Sequence, residues 1–292
     1  MSDAPLPPER IPRASLAVIG GSGTFSSRFP EDLEDPAVRV LAKNLRFDTP
    51  YGPSPLFKLF SLSAAAGEEK LVLTVKMHGR RFGVTAADAS RQVFWVFQQA
   101  GVKKILAEGG VGGANHLLEL RDMVVPDDYI DLSLRRDVDL GGPYLGVMRR
   151  PVCSQLAQEL IRAANAHARR HQDRRVFGRG VYAVTDGRHF ESVAEVAMLR
   201  RLGADIVGMT MCPEVYLARE IGACYAGLYI VVNYGEGVIR EWNHADLEQI
   251  FYEEARPVGR MLLEALRRTG EDQGCGCPDL RKPTLLVERP EE

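Results

Sequence analysis

The chain has 292 residues, of which 45% are hydrophobic and 26% are charged, a composition typical of a globular protein with one large core. Its formal net charge of −2 argues against nucleic-acid and membrane-surface binding, since such proteins usually carry a surplus of basic residues. No apolar run approaches the ~20 residues that cross a bilayer, and the first residues lack the apolar core of a signal peptide, so we expect a cytoplasmic protein with a small-molecule partner.

The domain organisation is predicted from the composition along the chain. No long linker rich in proline, glycine or serine divides the middle, which favours one α/β domain. Residues 1–12 are rich in proline and predict a disordered leader, and residues 271–292 predict a polar C-terminal tail. We therefore expect the folded domain at residues 13–270.

Apolar runs and helical patterns alternate along this domain. In chain order, the predicted elements are strands at 15–19 and 71–75, a helix at 87–101, strands at 104–107 and 180–185, a helix at 192–202, a strand at 205–207, a helix at 214–221, a strand at 225–232 and a helix at 247–268. Pro257 is expected to kink or interrupt the last helix because proline lacks the backbone N–H. This alternation predicts an α/β sheet whose ligands bind beyond the carboxyl ends of the strands.

Glycines and polar residues cluster at the ends of the predicted strands. The five clusters are Gly20–Gly23, Met77–Arg80, Glu108–Gly113, Met209–Thr210 and Asn233–Gly237. The backbone N–H groups of a glycine-rich turn, a hydroxyl and a His or Arg donor are the groups that an inorganic phosphate needs, because phosphate presents several acceptor oxygens and negative charge. The common position of the clusters predicts that they converge on one anionic ligand.

The five cysteines do not predict a metal site. Cys153, Cys212 and Cys224 stand singly among apolar residues, a pattern typical of buried thiols. Cys275 and Cys277 form an isolated Cys-Gly-Cys, and no nearby His or Cys pair supplies further zinc ligands at metal-like spacing. A surface redox pair or a link within the tail stays an alternative for these two residues.

The order of the motifs VIGGSG, TPYGPSP, MHGR, DGRHFESVAEVAMLRRLGADIVGMTMCPEVYLARE and YIVVNYG resembles the trimeric purine nucleoside phosphorylases, most closely the methylthioadenosine phosphorylase branch. The resemblance covers residues 15–266 and is most specific at residues 190–220. Cys275-Gly-Cys277 is similar to the Cys-x-Cys tail of some archaeal methylthioadenosine phosphorylases. The resemblance implies a single-domain, three-layer α/β fold with a twisted mixed sheet flanked by helices. It also implies a homotrimer or a dimer of trimers, no cofactor, and inorganic phosphate as co-substrate.

The resemblance further implies roles for individual residues. The implied phosphate ligands are Ser22, His78, Gly109, Gly110 and Thr210. The residues implied to bind the nucleoside are Phe190 on the base, Met209 beneath the ribose, and Asn233 and Gly235 where the methylthioadenosine branch carries two aspartates. Asn233 and His78 are the expected catalytic residues, and Glu236 is expected to offer a carboxylate to the base if it turns inward.

The chemistry of the reaction explains why these residues belong together. Cleavage of a nucleoside C–N bond passes through an oxocarbenium-like sugar, so the site must hydrogen bond the departing purine and hold a nucleophile on the opposite face. Phosphate is already an anion and needs positioning rather than a strong base. The predicted function is therefore phosphorolysis of methylthioadenosine or a related purine nucleoside, which gives the free purine and a (methylthio)ribose 1-phosphate.

Departures from the family pattern keep two alternatives open. Met77 replaces the first arginine of Arg-His-Gly-Arg, Gly109-Gly110 replaces Thr-Ala, and Glu108 adds negative charge beside the anion. Asn233 replaces an aspartate, which also puts a preference for 6-aminopurines in question. The alternatives are a nucleosidase or glycosyl transferase that needs no phosphate, and a catalytically silent nucleoside-binding trimer.

Overall fold

A mixed β-sheet forms the centre of the computed structural model, which describes residues 10–64, 67–77, 81–135, 138–171, 174–187, 189–270 and 274–284. The strands are β1 Leu16–Gly20, β2 Val38–Leu45, β3 Asp48–Thr49, β4 Gly52–Pro53, β5 Phe57–Ser63, β6 Glu69–Lys76, β7 Lys104–Gly113, β8 Met123–Val124, β9 Asp128–Asp131, β10 Tyr144–Gly146, β11 Val176–Phe177, β12 Val181–Val184, β13 Ile206–Gly208, β14 Cys224–Tyr234 and β15 Arg281–Pro283. The helices are α1 Ser22–Phe25, α2 Ala86–Ala100, α3 Ser154–Ala168, α4 Val193–Arg201, α5 Met211–Glu220 and α6 His244–Arg268.

The sheet is parallel at its centre and antiparallel toward one edge. Strands β14, β7, β1 and β6 lie side by side and parallel, and β5 and β2 extend the sheet in antiparallel pairing. Strand β13 pairs antiparallel with the end of β7 and connects β12 and β9 to the same sheet. Helices α3 and α6 pack on each other, as do α2 and α5, so that helices flank the sheet. The predicted α/β fold with a mixed sheet is confirmed.

The central strands are buried on both faces, as their apolar sequences predict. All residues of β1 and of the 11-residue β14 are buried. Parallel strands covered by helices on both faces have such continuous apolar runs. Strand β1 ends beside Ala107 of β7, while β7 and β14 end side by side, so the predicted clusters that follow β1, lie in β7 and follow β14 are at the same edge of the sheet.

Local capping signals place the helix boundaries. Thr85 accepts a hydrogen bond from the backbone N–H of Asp88 at the start of α2, and Gly101 ends this helix at a left-handed φ of 79°. Helix α4 begins with a capping box between Ser192 and Glu195. Of the kink or interruption predicted at Pro257, the interruption is wrong, because helix α6 continues from residue 244 to 268 through this proline. Its apolar face packs against α3 and β14, and this burial outweighs the lost hydrogen bond.

Several elements differ from the predicted structure. Residues 108–113, expected to be a glycine-rich loop, continue β7, because β14 and β13 hydrogen bond to them on either side. Strands β2 and β5 and helix α3 were not predicted. Strand β2 lies at an edge and is half exposed, so its sequence lacks a continuous apolar run.

None of the described helices has the length and apolarity required to cross a bilayer.

The described part of the C-terminal tail folds back on the domain. Residues 278–280 form a turn of 3-10 helix, and strand β15 pairs with β10. Cys277 and Leu280 are buried, which a polar tail would not require. The tail therefore contributes to the packed structure.

Candidate active site

The carboxyl-terminal half of β7 contacts several predicted site residues. At its first glycines, the N–H of Gly110 donates a hydrogen bond of 2.7 Å to Ser22 Oγ. A Cβ on Gly109 would lie 3.5 Å from Thr210 Oγ1, and a Cβ on Gly110 would lie 2.6 Å from the ring of Phe251. The absence of side chains at both glycines thus lets two hydroxyls and an aromatic ring approach the strand. This arrangement brings together four of the five residues that the resemblance implies for phosphate.

The last glycines of β7 contact the residues expected at the base. The Asn233 amide lies beside Gly112, where a Cβ would be 3.4 Å from Nδ2. The N–H of Gly235 donates 2.8 Å to the carbonyl of Gly113. The hydroxyl cluster and the amide are therefore held along one strand, a few residues apart.

The carboxyl group of Glu108 lies inside the glycine-rich turn that follows β1. Its Oε1 accepts hydrogen bonds from the backbone N–H of Gly21 at 2.5 Å, the N–H of Thr24 at 2.9 Å and the Thr24 hydroxyl at 2.7 Å. These donors were expected to be available to phosphate, but a carboxyl group of the same chain uses them. The side chain of Ser22 remains directed at β7 instead.

The surroundings of Glu108 act on its charge in two directions. The side chain is buried, and burial raises its pKa, with the bonds from Thr24 and Gly21 acting in the opposite direction. Oε2 has no hydrogen-bond partner among the described residues. Burial thus acts against the negative charge that the sequence placed beside the anion.

A chain of buried tyrosines extends below Thr210. The Thr210 and Tyr182 hydroxyls lie 3.2 Å apart, and the Tyr182 ring packs edge-on against Tyr229 with centroids 4.8 Å apart. The Tyr229 and Tyr225 hydroxyls lie 3.0 Å apart, and Tyr225 donates to Glu214 Oε2 at 2.7 Å. This network fixes the Thr210 hydroxyl from beneath. No local pattern in the sequence indicates it, since its members come from β12, α5 and β14.

The buried carboxyls predict a pH-dependent stability. Burial raises the pKa of Glu214 from 4.5 to about 8. The folded state then holds a proton that the unfolded state releases, so stability is fully present below the unfolded pKa and is lost as pH rises toward the folded pKa. One pKa unit corresponds to about 1.4 kcal/mol, and we expect a loss of roughly 2–4 kcal/mol between these values. Denaturant unfolding at several pH values measures it.

The variant Glu214→Gln should remove most of that loss, because the amide is neutral at every pH and still accepts from Tyr225. Glu248→Gln, at an exposed position of α6, is the matched control and should keep the parent's slope. Equal slopes for the parent and Glu214→Gln would show that Glu214 is not the titrating group.

Phe190 and Glu236 both contact Trp242 at the rim of the site. The Phe190 ring packs against Trp242 with centroids 4.5 Å apart and is 54% exposed. Trp242 Nε1 donates to Glu236 Oε1 at 2.9 Å. Glu236, expected to offer a carboxylate to the base only if it turns inward, is held by Trp242 in this structure. The exposed part of the Phe190 ring leaves room for a flat heterocycle.

The loop around Met209 is fixed by glycine and arginine. The Met209 side chain packs directly on Gly187, where any Cβ would overlap the thioether and φ is 63°. Arg135 donates to the carbonyls of Met209 at 2.9 Å and Cys212 at 2.8 Å. This buried arginine is a positioning residue that the sequence analysis missed, because it is distant in sequence from the loop it holds.

Two further points bear on the predicted residues. His78 lies outside the described residues, and its assignments as phosphate ligand and catalytic residue stay predictions. Met77, just before it, is half-buried and donates its N–H to the Gly20 carbonyl at 3.0 Å, which joins this segment to the glycine-rich turn.

Cavities of about 340 and 130 Å³ lie away from the convergence point. The larger one is lined by Lys104 and Thr269 at the amino ends of the strands, and the smaller one by Tyr234 and Trp242 behind the rim. We assign the site from its chemistry, since ligands of α/β sheets bind beyond the carboxyl ends of the strands.

Comparison with known proteins identifies the family of the chain. Residues 15–267 match the family model described as "Phosphorylase superfamily". A Korarchaeum cryptofilum protein named "Probable 6-oxopurine nucleoside phosphorylase" is 32% identical over 90% of this chain and 96% of its own length. The S-methyl-5'-thioadenosine phosphorylase of Hyperthermus butylicus is 30% identical over 96% of this chain and 98% of its own. The crystal structure of a methylthioadenosine phosphorylase from an antarctic soil metagenomic library has a TM-score of 0.73 and 27% identity, covering 87% of this chain and 85% of that one.

Proposed function

Because this chain belongs to the phosphorylase superfamily, we propose that it cleaves the N-glycosidic bond of purine nucleosides with phosphate, with a preference for 6-oxopurine bases. The chain is an enzyme of the pentosyltransferase class, and the co-substrate of this family is inorganic phosphate. The observation that carries the proposal is the buried neutral amide of Asn233 at the end of the β7–β14 pair.

The chemistry of the departing base supports this preference. A 6-oxopurine that leaves with a proton on N7 presents an N–H donor and a carbonyl acceptor side by side. An asparagine amide can match both, because its oxygen accepts and its nitrogen donates, whereas an ionised aspartate only accepts. In the structure one proton of Asn233 Nδ2 is donated to the Tyr234 carbonyl at 2.9 Å, and the second Nδ2 proton and Oδ1 are the groups that would bind the base. Amide hydrogen bonding of this kind lowers the barrier to departure of the base.

The hydroxyls at the other end of the site suit the nucleophile. Ser22 Oγ lies beside Gly110 and Thr210 Oγ1 beside Gly109, and both hydroxyl groups offer a donor for phosphate oxygens, while the Gly110 N–H already donates to Ser22 Oγ. Phosphate bound there would be positioned toward the sugar without requiring a general base. Phe251 packs over Gly110 and reduces access of water, the competing nucleophile.

Methylthioadenosine is the second candidate substrate. The relatives named methylthioadenosine phosphorylases match over nearly the whole chain, and one shares the fold at 27% identity. Gly235 stands where the methylthioadenosine branch carries its second aspartate. This chain therefore offers fewer hydrogen-bond acceptors to the adenine of methylthioadenosine.

The decisive assay measures base release from inosine, adenosine and methylthioadenosine, each with and without phosphate. We expect phosphate-dependent release of hypoxanthine together with ribose 1-phosphate, faster than release of adenine. Release without phosphate would favour the nucleosidase alternative. The arginine replaced by Met77 and the threonine replaced by Gly109 support this alternative. Binding without turnover would favour a silent nucleoside-binding protein.

Met77→Arg tests the weakest part of the phosphate site. A guanidinium at this position would add charge-assisted hydrogen bonds to phosphate, each contributing about 1.5–3 kcal/mol. We therefore expect the KM for phosphate to fall ~10-fold while the KM for nucleoside stays the same. Met77→Leu is the matched control. An unchanged KM for phosphate in Met77→Arg would mean that another side chain already fills this role.

We also propose a homotrimer, in which a neighbouring chain covers the open side of the site. Leu134 and Phe190 are large apolar side chains, 74% and 54% exposed, and both lie next to the site, since the N–H of Leu134 bonds to Asp186 beside Gly187. Covering them would bury apolar surface and enclose the base. Light scattering after size exclusion tests this proposal, and a monomeric mass would contradict it.

A further inference from the structure

Four of the five cysteines converge far from the candidate active site. The sulfur atoms of Cys153, Cys224, Cys275 and Cys277 all lie within 4.8 Å of one another. The Cys224 and Cys275 sulfurs are 3.3 Å apart. Three of the side chains are buried and Cys275 is half-buried. The cluster joins the start of α3, the start of β14 and the C-terminal tail, at the amino ends of the central strands.

This geometry fits a tetrahedral metal site. With zinc–sulfur bonds of ~2.3 Å, the sulfurs of a tetrahedral site lie ~3.8 Å apart, within the spread seen here. Two separate disulfides would instead divide the four residues into pairs, and no such division is visible in a cluster where every sulfur lies near the other three.

The surroundings of the cluster favour negative charge. The buried guanidinium of Arg219 donates to the Cys277 carbonyl at 3.2 Å and to the Arg150 carbonyl at 2.8 Å, and it pairs with no carboxylate among the described residues. Cys153 caps the N-terminus of the 15-residue α3, where the helix dipole stabilises an anion. Buried Lys104 lies beside Cys224 in the sheet register. A zinc ion with four thiolates carries a net charge of −2, which these groups offset.

We propose that Cys153, Cys224, Cys275 and Cys277 bind one structural zinc ion through four thiolates. The protein fills all four coordination positions, so the ion has no open position for substrate and its role is structural. Cysteine binds zinc as a thiolate, so the protons of these four thiols are released to solvent when zinc binds. The ion would hold the tail against α3 and β14 and so stabilise the packing of residues 274–284.

No metal site was predicted from the sequence, because no His or Cys pair near Cys275 and Cys277 offers further ligands at metal-like spacing. The structure brings Cys224 and Cys153 to this pair from positions 51 or more residues away. Cys277 is also buried, which argues against the alternative of a surface redox pair.

Metal analysis of the native protein, purified without chelators, tests the proposal. We expect close to one zinc ion per chain, released in step with four thiols when a mercurial reagent is titrated in. Replacement of zinc by Co²⁺ should give the visible absorption of tetrahedral cobalt bound by thiolates. A metal-free protein in which these four cysteines are free thiols would overturn the proposal, as would a denatured, unreduced protein whose mass is lower by the hydrogens lost in disulfide formation.

Substitutions assign the ligands. Cys153→Ser and Cys277→Ser should each lower the zinc content ~10-fold and reduce Tm by roughly 5–10 °C, since zinc binding is coupled to folding. Cys212→Ala removes the remaining buried thiol and should keep the full zinc content. If either serine variant does not fold, the cobalt spectrum of the native protein still decides. Zinc retained in both serine variants, or lost in Cys212→Ala, would show that these four sulfurs are not the ligands.

Discussion

Asn233→Ala is expected to lower kcat/KM for inosine by ~10²–10³-fold, because the departing purine loses its hydrogen-bond partner in the transition state. The KM for phosphate should change little, since Ser22 and Thr210 lie at the other end of the site. Steady-state kinetics with each substrate varied in turn separates the two effects.

Asn233→Asp is expected to change the preferred base rather than to abolish turnover. A carboxylate accepts from both N7–H and the 6-amino group of adenine, but it repels the carbonyl oxygen of a 6-oxopurine. The ratio of kcat/KM for methylthioadenosine or adenosine to that for inosine should therefore rise by ~10²-fold, as expected when buried polar groups are mismatched.

Asn165→Ala is the matched control for both variants. Asn165 Nδ2 donates to the Ile161 carbonyl at 2.9 Å within α3, so the substitution also removes an amide bonded to the backbone, away from the site. Its kinetics should equal those of the parent. If Asn233→Ala is as active as Asn165→Ala while both remain folded, the assignment of Asn233 is wrong.

The second large effect is expected at the phosphate end. Ser22→Ala and Thr210→Val each remove one hydroxyl donor, and a hydrogen bond to a charged group contributes about 1.5–3 kcal/mol. Each should lower kcat/KM for phosphate by ~10–100-fold, and the double variant by more than either alone. The KM for the nucleoside should stay within about twofold of the parent value.

Thr269→Val serves as the control, because this buried threonine donates to the Ala265 carbonyl at the opposite end of the sheet. Calorimetry of all variants separates catalytic from folding effects, which matters because Ser22 also accepts from the Gly110 N–H. Phosphate kinetics in the double variant equal to those of Thr269→Val would contradict the proposed site.

Neighbouring residues alone were enough to predict much of the fold. The apolar runs of β1 and β14, the cap and left-handed glycine of α2 and the capping box of α4 depend on contacts within a few residues, so their patterns are visible in the sequence. The motifs at the strand ends likewise indicated the family. The parallel strands β1, β7 and β14 bring their clusters to one edge, as the fold class predicts, whereas Thr210 reaches this edge because it follows β13, which runs antiparallel to β7.

The tertiary structure alone determined how the site is built. Glu108 fills the glycine-rich turn 87 residues earlier in the chain, the tyrosine network beneath Thr210 joins three elements, and four cysteines from three segments form one cluster. These contacts join residues that are far apart in sequence. Whether a glycine-rich turn binds phosphate or a carboxyl group of the same chain depends on which distant side chain packs against the turn in the folded protein. Local periodicity carries no information about such partners, because burial, pKa and metal coordination arise only when the chain has packed.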